Sequence, residues 1–230
     1  HNYGQSTIGN RADIEKVPAD SLRRFYQKYY QPDNVILVIA GKFDEKKSLE
    51  FVKNYFGVIP RPERKLEPTY TEEPAQDGER MVTLRRVGDV ALAATLYHIP
   101  SGGHPDFAAV DVLSTIMTSE PAGRLYESLV KRRVAASVFG MTFALHDPGI
   151  LMFMAEATQG TDGTALVQSL IESGEGTAEK AFTPEEVERA RSELLKQREL
   201  TVADSQRVAI ELSDWSAQGD WRLFFLYRDR

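Results

Sequence analysis

Apolar residues recur along the chain in two rhythms, and the changes of rhythm mark its elements. After a weak helix start at Asn10–Asp13, Leu22, Phe25, Tyr26 and Tyr29 return at i, i+3, i+4 and i+7, the one-sided stripe of a surface helix. Pro32 in "QPDN" (31–34) cannot continue that ladder and ends it. "VILVIAG" (35–41) is apolar throughout at strand length, which predicts a strand covered on both faces. "FDEKKSLEFVKNYFG" (43–57) predicts a further helix with Leu49, Val52 and Phe56 inward and Gly57 as its stop.

The pattern then lapses. Residues 59–79 hold four prolines, many charges and few large apolar side chains, the composition of an extended linker. Beyond it the period-2 rhythm starts. "RMVTLRRV" (80–87) alternates, and "VALAATLYHI" (90–99) puts Leu92, Ala94 and Leu96 on one face. Two helices follow. One carries the stripe Phe107, Val110, Leu113 and Met117; the other pairs Leu125 with Leu129 and Tyr126 with Val130. In "SVFGMTFAL" (137–145) Phe139, Met141, Phe143 and Leu145 share a face, and "ILMFMAEA" (150–157) pairs with it across the turn "HDPG". A helix at 183–197 opens with Thr183 as N-cap, Pro184 at the first helical position and Glu186 three after the cap. Its stripe is Val187, Ala190, Leu194 and Thr201.

The second part therefore reads ββααββαα: an α+β fold, an antiparallel sheet with helices packed on one face. The first part, one strand among helices, reads as a fraction of a similar unit, because a lone strand leaves its edges unpaired. The expected organisation is 1–60, a linker at 61–78, and a second domain at 79–230.

Composition narrows function by exclusion. The 230 residues are 42% hydrophobic and 27% charged, enough to build a core. A net charge of −6 does not attract a polyanion, so nucleic acid is not an expected partner. No apolar run reaches membrane-spanning length. With no cysteine, the chain has no disulfide, thiolate metal site or cysteine nucleophile, and both cytoplasm and periplasm remain open.

The four histidines, His1, His98, His104 and His146, include no pair four apart, so no helical zinc pair exists. His98 and His104 flank "IPSGG" with Asp106 nearby; a strand end, a glycine loop and a carboxylate in a helix's first turn account for them better than a metal does. His146 falls in the hairpin turn. No G-x-S-x-G or phosphate-binding loop is present, and "GEGTAE" (174–179) reads as a helix-to-helix loop. Glu185 and Glu186 read as helix-start acids, and "KRR" (131–133) as a solvated helix end. Arg124 and Tyr126 are candidate substrate contacts, although their place on a helix of core leucines explains them equally well. Composition and spacing thus identify no catalytic residue, no metal ligand and no defined substrate-binding residue.

The order of motifs nevertheless resembles one family. His1, Tyr3 and Gly4 are followed by Phe25, Tyr26, Tyr29, Tyr30, Pro32 and Asn34, then by Val38, Ala40, Gly41 and Phe43. With "GRLYESLVKRRVAASV" and "GDWRLFFLYRDR", this order is similar to that of the pitrilysin/insulinase (inverzincin) zinc metallopeptidases. The resemblance implies a metallopeptidase half-lobe. It implies a zinc endopeptidase parent whose two homologous halves, in one chain or two, enclose peptides or unfolded polypeptides in a chamber, often in the periplasm. The family's H-x-x-E-H and its later glutamate ligand do not occur here, so zinc is implied for the parent and not for this chain, which should be inactive alone. Val130 and Ala136 stand where the family's non-zinc half carries a substrate-contacting arginine and tyrosine, so the resemblance is to the zinc-bearing half, cut at both ends. His1 then becomes a connector residue downstream of the metal ligands. The alternative is a non-catalytic partner subunit of a processing-peptidase-like hetero-oligomer.

Overall fold

The computed structural model describes residues 2–67, 74–88, 90–176 and 179–229. His1, part of the expected linker and part of the loop 174–179 lie outside them. The chain divides into two compact units, one comprising His1–Leu37 and Lys42–Arg85, the other Val38–Gly41 and Arg86–Arg230.

The first unit is helical. Helices α1 (Arg11–Lys16), α2 (Ala19–Tyr29) and α3 (Glu45–Tyr55) form where the 3.6 periodicity places them. Asp44 caps α3 by accepting the Lys47 N–H, and the Gly57 N–H closes its last turn onto the Lys53 carbonyl at 3.0 Å. Asn34 Nδ2 donates to the Tyr29 carbonyl at the end of α2, and Arg64 grips Asp33 through two hydrogen bonds of 3.0 and 3.1 Å. The expectation that Leu49, Val52 and Phe56 turn inward largely fails here. The stripes of α2 and α3 are largely exposed, including Leu22, Phe25, Tyr26, Leu49 and Phe56; only Val52 and Tyr29 are half-buried. The aromatic residues of α2 cover one another instead, Phe25 against Tyr29 and Tyr26 against Tyr30, with centroids 4.7 and 4.9 Å apart.

The predicted strands at 35–41 and 80–87 also do not form. Val35, Ile36, Leu37 and Ile39 are exposed, as are Met81, Val82, Leu84 and Val87. A strand exists through its ladder, and neither segment finds a ladder partner among the described residues.

The second unit contains the sheet. Strands β1 (Leu92–Ile99), β2 (Ala135–Thr142) and β3 (Gly149–Ala157) lie in the order β1-β3-β2, both pairs antiparallel. β2 and β3 form the expected hairpin, with the Phe143 N–H donating to the Ile150 carbonyl beyond the last paired residues. Helices α4 (Phe107–Thr118), α5 (Gly163–Glu175), α6 (Pro184–Val202), α7 (Ser205–Ala217) and the short α8 (Leu223–Leu226) complete the unit. The segment after α4 is irregular: a turn of π-helix, Tyr126–Val130, in which the Lys131 N–H reaches back five residues to the Tyr126 carbonyl. Arg133, at φ 62°, stops that helix and starts the approach to β2.

One face of the sheet carries the core. Ala93, Ile99, Val138, Leu151, Phe153 and Ala155 bury themselves against Phe107, Met117, Leu125, Leu129, Leu166 and Leu170. Gly140 on β2 permits the close crossing of α4, because a Cβ there would stand 2.6 Å from Ser114 Oγ. The fold is α+β with helices on one face, as the alternating strands predict.

Candidate functional site

The other face of the sheet is open. Register places its side chains in rows across all three strands: Leu92, Glu156 and Ser137; Ala94, Met154 and Phe139; Leu96, Met152 and Met141; then His98 beside Ile150. Leu92 and Leu96 are 60% and 58% exposed, Phe139 and Met141 38% and 43%. Ile150, Met152 and Met154 on the central strand are half-buried by their neighbours. The surface is apolar and methionine-rich, with one polar end where Ser137 Oγ donates to Glu156 at 3.2 Å. Strands with a single covered face normally turn polar residues outward. Here both faces are apolar, and a contiguous apolar patch on an otherwise well-packed unit is the mark of a surface that receives something. Methionine suits that task, because its unbranched, polarisable side chain adapts to varied shapes.

The sets that share a face in the sequence, Leu92/Ala94/Leu96 and Phe139/Met141, are thus the open-face residues, while the smaller Ala93, Val138 and Ala155 point to the core. Alternation reveals two faces but not which one the helices cover.

Arg124 is engaged with other residues of the fold. Its guanidinium donates Nε and Nη2 to the two oxygens of Glu186, both at 2.7 Å, and Nη1 and Nη2 to the carbonyls of Lys180 and Ala181 at 2.7 and 2.9 Å. It also lies 4.2 Å over the Phe182 ring. Glu186 at the same time caps α6, accepting the Thr183 N–H while Thr183 Oγ1 accepts the Glu186 N–H. The arginine hydrogen bonds hold the Glu186 carboxyl down at about 2, with the Thr183 N–H adding to the effect. With side chains only 12% and 18% exposed, Arg124 and Glu186 form a clamp between the π-helical segment and the start of α6. Sequence predicted the cap and missed the clamp, since its partners are 62 residues apart. Tyr126 packs half-buried on the core.

The histidine cluster does not assemble. His98 projects from the open face of β1, whereas His104 turns its Nδ1 to the Asp106 N–H at 3.2 Å. His146 is exposed and meets Asp147 at 3.1 Å. No group of three or more His, Cys, Asp or Glu among the described residues stands close enough to hold a metal. Lys131 pairs with Glu127 on the solvated helix end, and Ala136 is the extra residue of a β-bulge.

Comparison with known proteins agrees with this anatomy. Residues 16–194 match the family described as the Peptidase M16 inactive domain. The zinc protease PqqE of Helicobacter pylori is 27% identical over 223 residues, covering 96% of this chain and 50% of that protein. The chain therefore spans about half the length of that curated relative. Among solved structures, the inactive peptidase domain of a putative zinc protease from Bordetella parapertussis is 46% identical, covering 64% of this chain and 81% of that one, with a TM-score of 0.59. A protease from Helicobacter pylori is 26% identical and superposes over 100% of this chain and 56% of its own, with a TM-score of 0.91.

Proposed function

Because the chain belongs to the Peptidase M16 inactive-domain family, we propose that it is the non-metal part of a zinc-dependent endopeptidase, and that its open sheet face lines the chamber in which unfolded polypeptide is held for cleavage. The observation carrying this reading is the apolar face formed by Leu92, Leu96, Phe139, Met141, Met152 and Met154. An unfolded peptide displays the apolar side chains that a folded protein hides, and a methionine-rich surface accepts them without demanding one sequence. On this reading residues 1–60 are the tail of the metal-bearing domain, 61–78 a linker, and 79–230 the chamber-wall domain.

Zinc would polarise the scissile carbonyl and activate water. The residues of this chain do not fit that ion: the H-x-x-E-H motif is absent from the sequence and no ligand trio forms among the described residues. The zinc site and a second homologous half belong, on this reading, to the rest of the parent, and a periplasmic location is proposed by analogy with the periplasmic protease PqqL of Escherichia coli. A second reading, a partner subunit that never cleaves, is favoured by the family's description as an inactive domain and uses the same face for assembly.

A labelled apolar peptide, read by fluorescence anisotropy against the 230-residue chain, tests the wall. Phe139→Asp should weaken binding about tenfold, as loss of a central apolar contact does. The thermal midpoint should hold, since Phe139 is outside the core. Equal binding by the variant would overturn the chamber-wall reading. The chain alone, given zinc and peptide, should release no chelator-sensitive product.

A further inference from the structure

With no cysteine in the chain, its sulfur chemistry is confined to five methionines. Their placement is uneven. Met117 is buried in the core at 1% exposure, and Met81 is 68% exposed in a segment outside the sheet. The other three, Met141, Met152 and Met154, all stand on the open face. Met141 on β2 and Met152 on β3 are directly opposite each other, so their side chains are cross-strand neighbours. Met154 follows Met152 by two, and so shares its face, opposite Phe139. Met141 is 43% exposed, and Met152 and Met154 are half-buried beside it. An oxidant dissolved in water therefore meets three thioethers on one surface.

Methionine at such a place differs from leucine in one respect. Its sulfur is oxidised to a sulfoxide, which turns a flexible apolar side chain into a polar one and disrupts methionine-rich contact surfaces. The surroundings offer a sulfoxide oxygen little to bond to. The trio is flanked by Ala94, Leu96, Phe139 and Ile150. At one end of the face the Ser137 hydroxyl already donates to Glu156, and His98 is at the other end beside Ile150. Left open, a sulfoxide is solvated. Under an apolar ligand it loses that water and gains no donor in exchange, and the ligand binds more weakly.

We propose that Met141, Met152 and Met154 form a reversible oxidation site that turns the open face from apolar to polar and so releases apolar polypeptide, an inference that rests on the reading of this face as the chamber wall. The oxidant is a peroxide. A sulfur lone pair attacks one peroxide oxygen, and the O–O bond breaks as the S–O bond forms. The departing hydroxide takes the proton of the transferred hydroxyl and leaves as water. Sulfur gives up two electrons and the peroxide accepts them. Reversal needs a methionine sulfoxide reductase and a dithiol. The dithiol supplies two electrons and two protons, the sulfoxide oxygen leaves as water, and the dithiol closes to a disulfide.

Hydrogen peroxide applied to the full chain tests the proposal. Peptide mass spectrometry locates the added oxygen, and the dye ANS, which binds exposed apolar surface, reports on the face without any peptide substrate. Met141 and Met152 should gain oxygen at least about tenfold faster than Met117, which burial shields. The affinity for ANS should fall about tenfold as the sulfoxides form, the effect of placing an unpaired polar group under an apolar ligand. The thermal midpoint should hold, since the trio is outside the core. The two methionine sulfoxide reductases, one for each sulfoxide epimer, should restore binding with dithiothreitol as the dithiol. Each protein's own binding before peroxide is its reference. Met81→Leu should lose binding on oxidation as the parent does. Met141→Leu, Met152→Leu and Met154→Leu combined, which keep apolar volume without sulfur, should prevent the loss. No loss in the parent, equal loss in the triple variant, protection by Met81→Leu alone, oxidation of Met117 as fast as of Met141, or failure of the reductases to restore binding would overturn the proposal. The oxygen map and the ANS measurement stand whether or not an apolar peptide binds, whereas Phe139→Asp tests the chamber wall without peroxide, so failure of the two readings can be told apart.

Discussion

Arg124 shows how much one residue can join. It takes part in ion pairing, main-chain carbonyl recognition and an aromatic contact at once, and its partner Glu186 caps a 19-residue helix with the same carboxylate. Removing the guanidinium leaves a mostly buried carboxylate and two carbonyls without their donors. Arg124→Ala should therefore cost about 3 kcal/mol, read as a fall in the urea midpoint at constant slope. The pH dependence carries a clear sign. The carboxyl of Glu186 titrates near 4.5 when unperturbed and at about 2 in the fold. Its depressed value means that the clamp contributes its full stability above about pH 4.5 and loses it as pH falls toward 2. Arg124→Met should flatten the stability profile across that window; an unchanged slope would show that other carboxylates govern acid unfolding. Tyr227 is displaced the other way: burial, then the charge of Asp111 and the hydrogen bond to it, push its phenol well above the usual range. It stays a donor at every accessible pH.

At the scale of elements, the alternation in β1, β2 and β3 and the capping box of α6 were legible because they are local: period, cap and turn lie within a few residues of one another. The segments 35–41 and 80–87 misled because an apolar run specifies a preference for burial, while a strand also needs a neighbour in register. The contact between α4 and β2 depends on Gly140, and sequence alone offers only the hint of a glycine inside a strand. Gly140→Val would drive a branched side chain into Ser114 and Thr118, and should cost about 1–3 kcal/mol by chemical denaturation. A midpoint indistinguishable from that of the parent chain would mean that α4 moves away freely.

In the whole molecule, stability is unevenly spread. The central strand β3 is hydrogen-bonded on both edges and its core side is buried, whereas residues 80–87 have no ladder among the described residues and expose their apolar side chains. Native-state hydrogen exchange should find the slowest amides in β3 and fast exchange through 80–87; comparable protection in both would contradict the unpaired state of that segment. By itself the sequence determined the α+β class, most helix positions, the hairpin, the cap of α6 and the family, all of which rest on short-range periodicity or on the order of motifs. It also determined that the metal-binding motif is absent, since that is a matter of residue identity. Only the tertiary structure decided which sheet face the helices cover, that Arg124 is a clamp, and that Leu96 of β1 shares one open face with three methionines of β2 and β3. Those facts depend on residues brought together across tens of positions by packing, and no local pattern encodes which of two apolar faces will be the one left open.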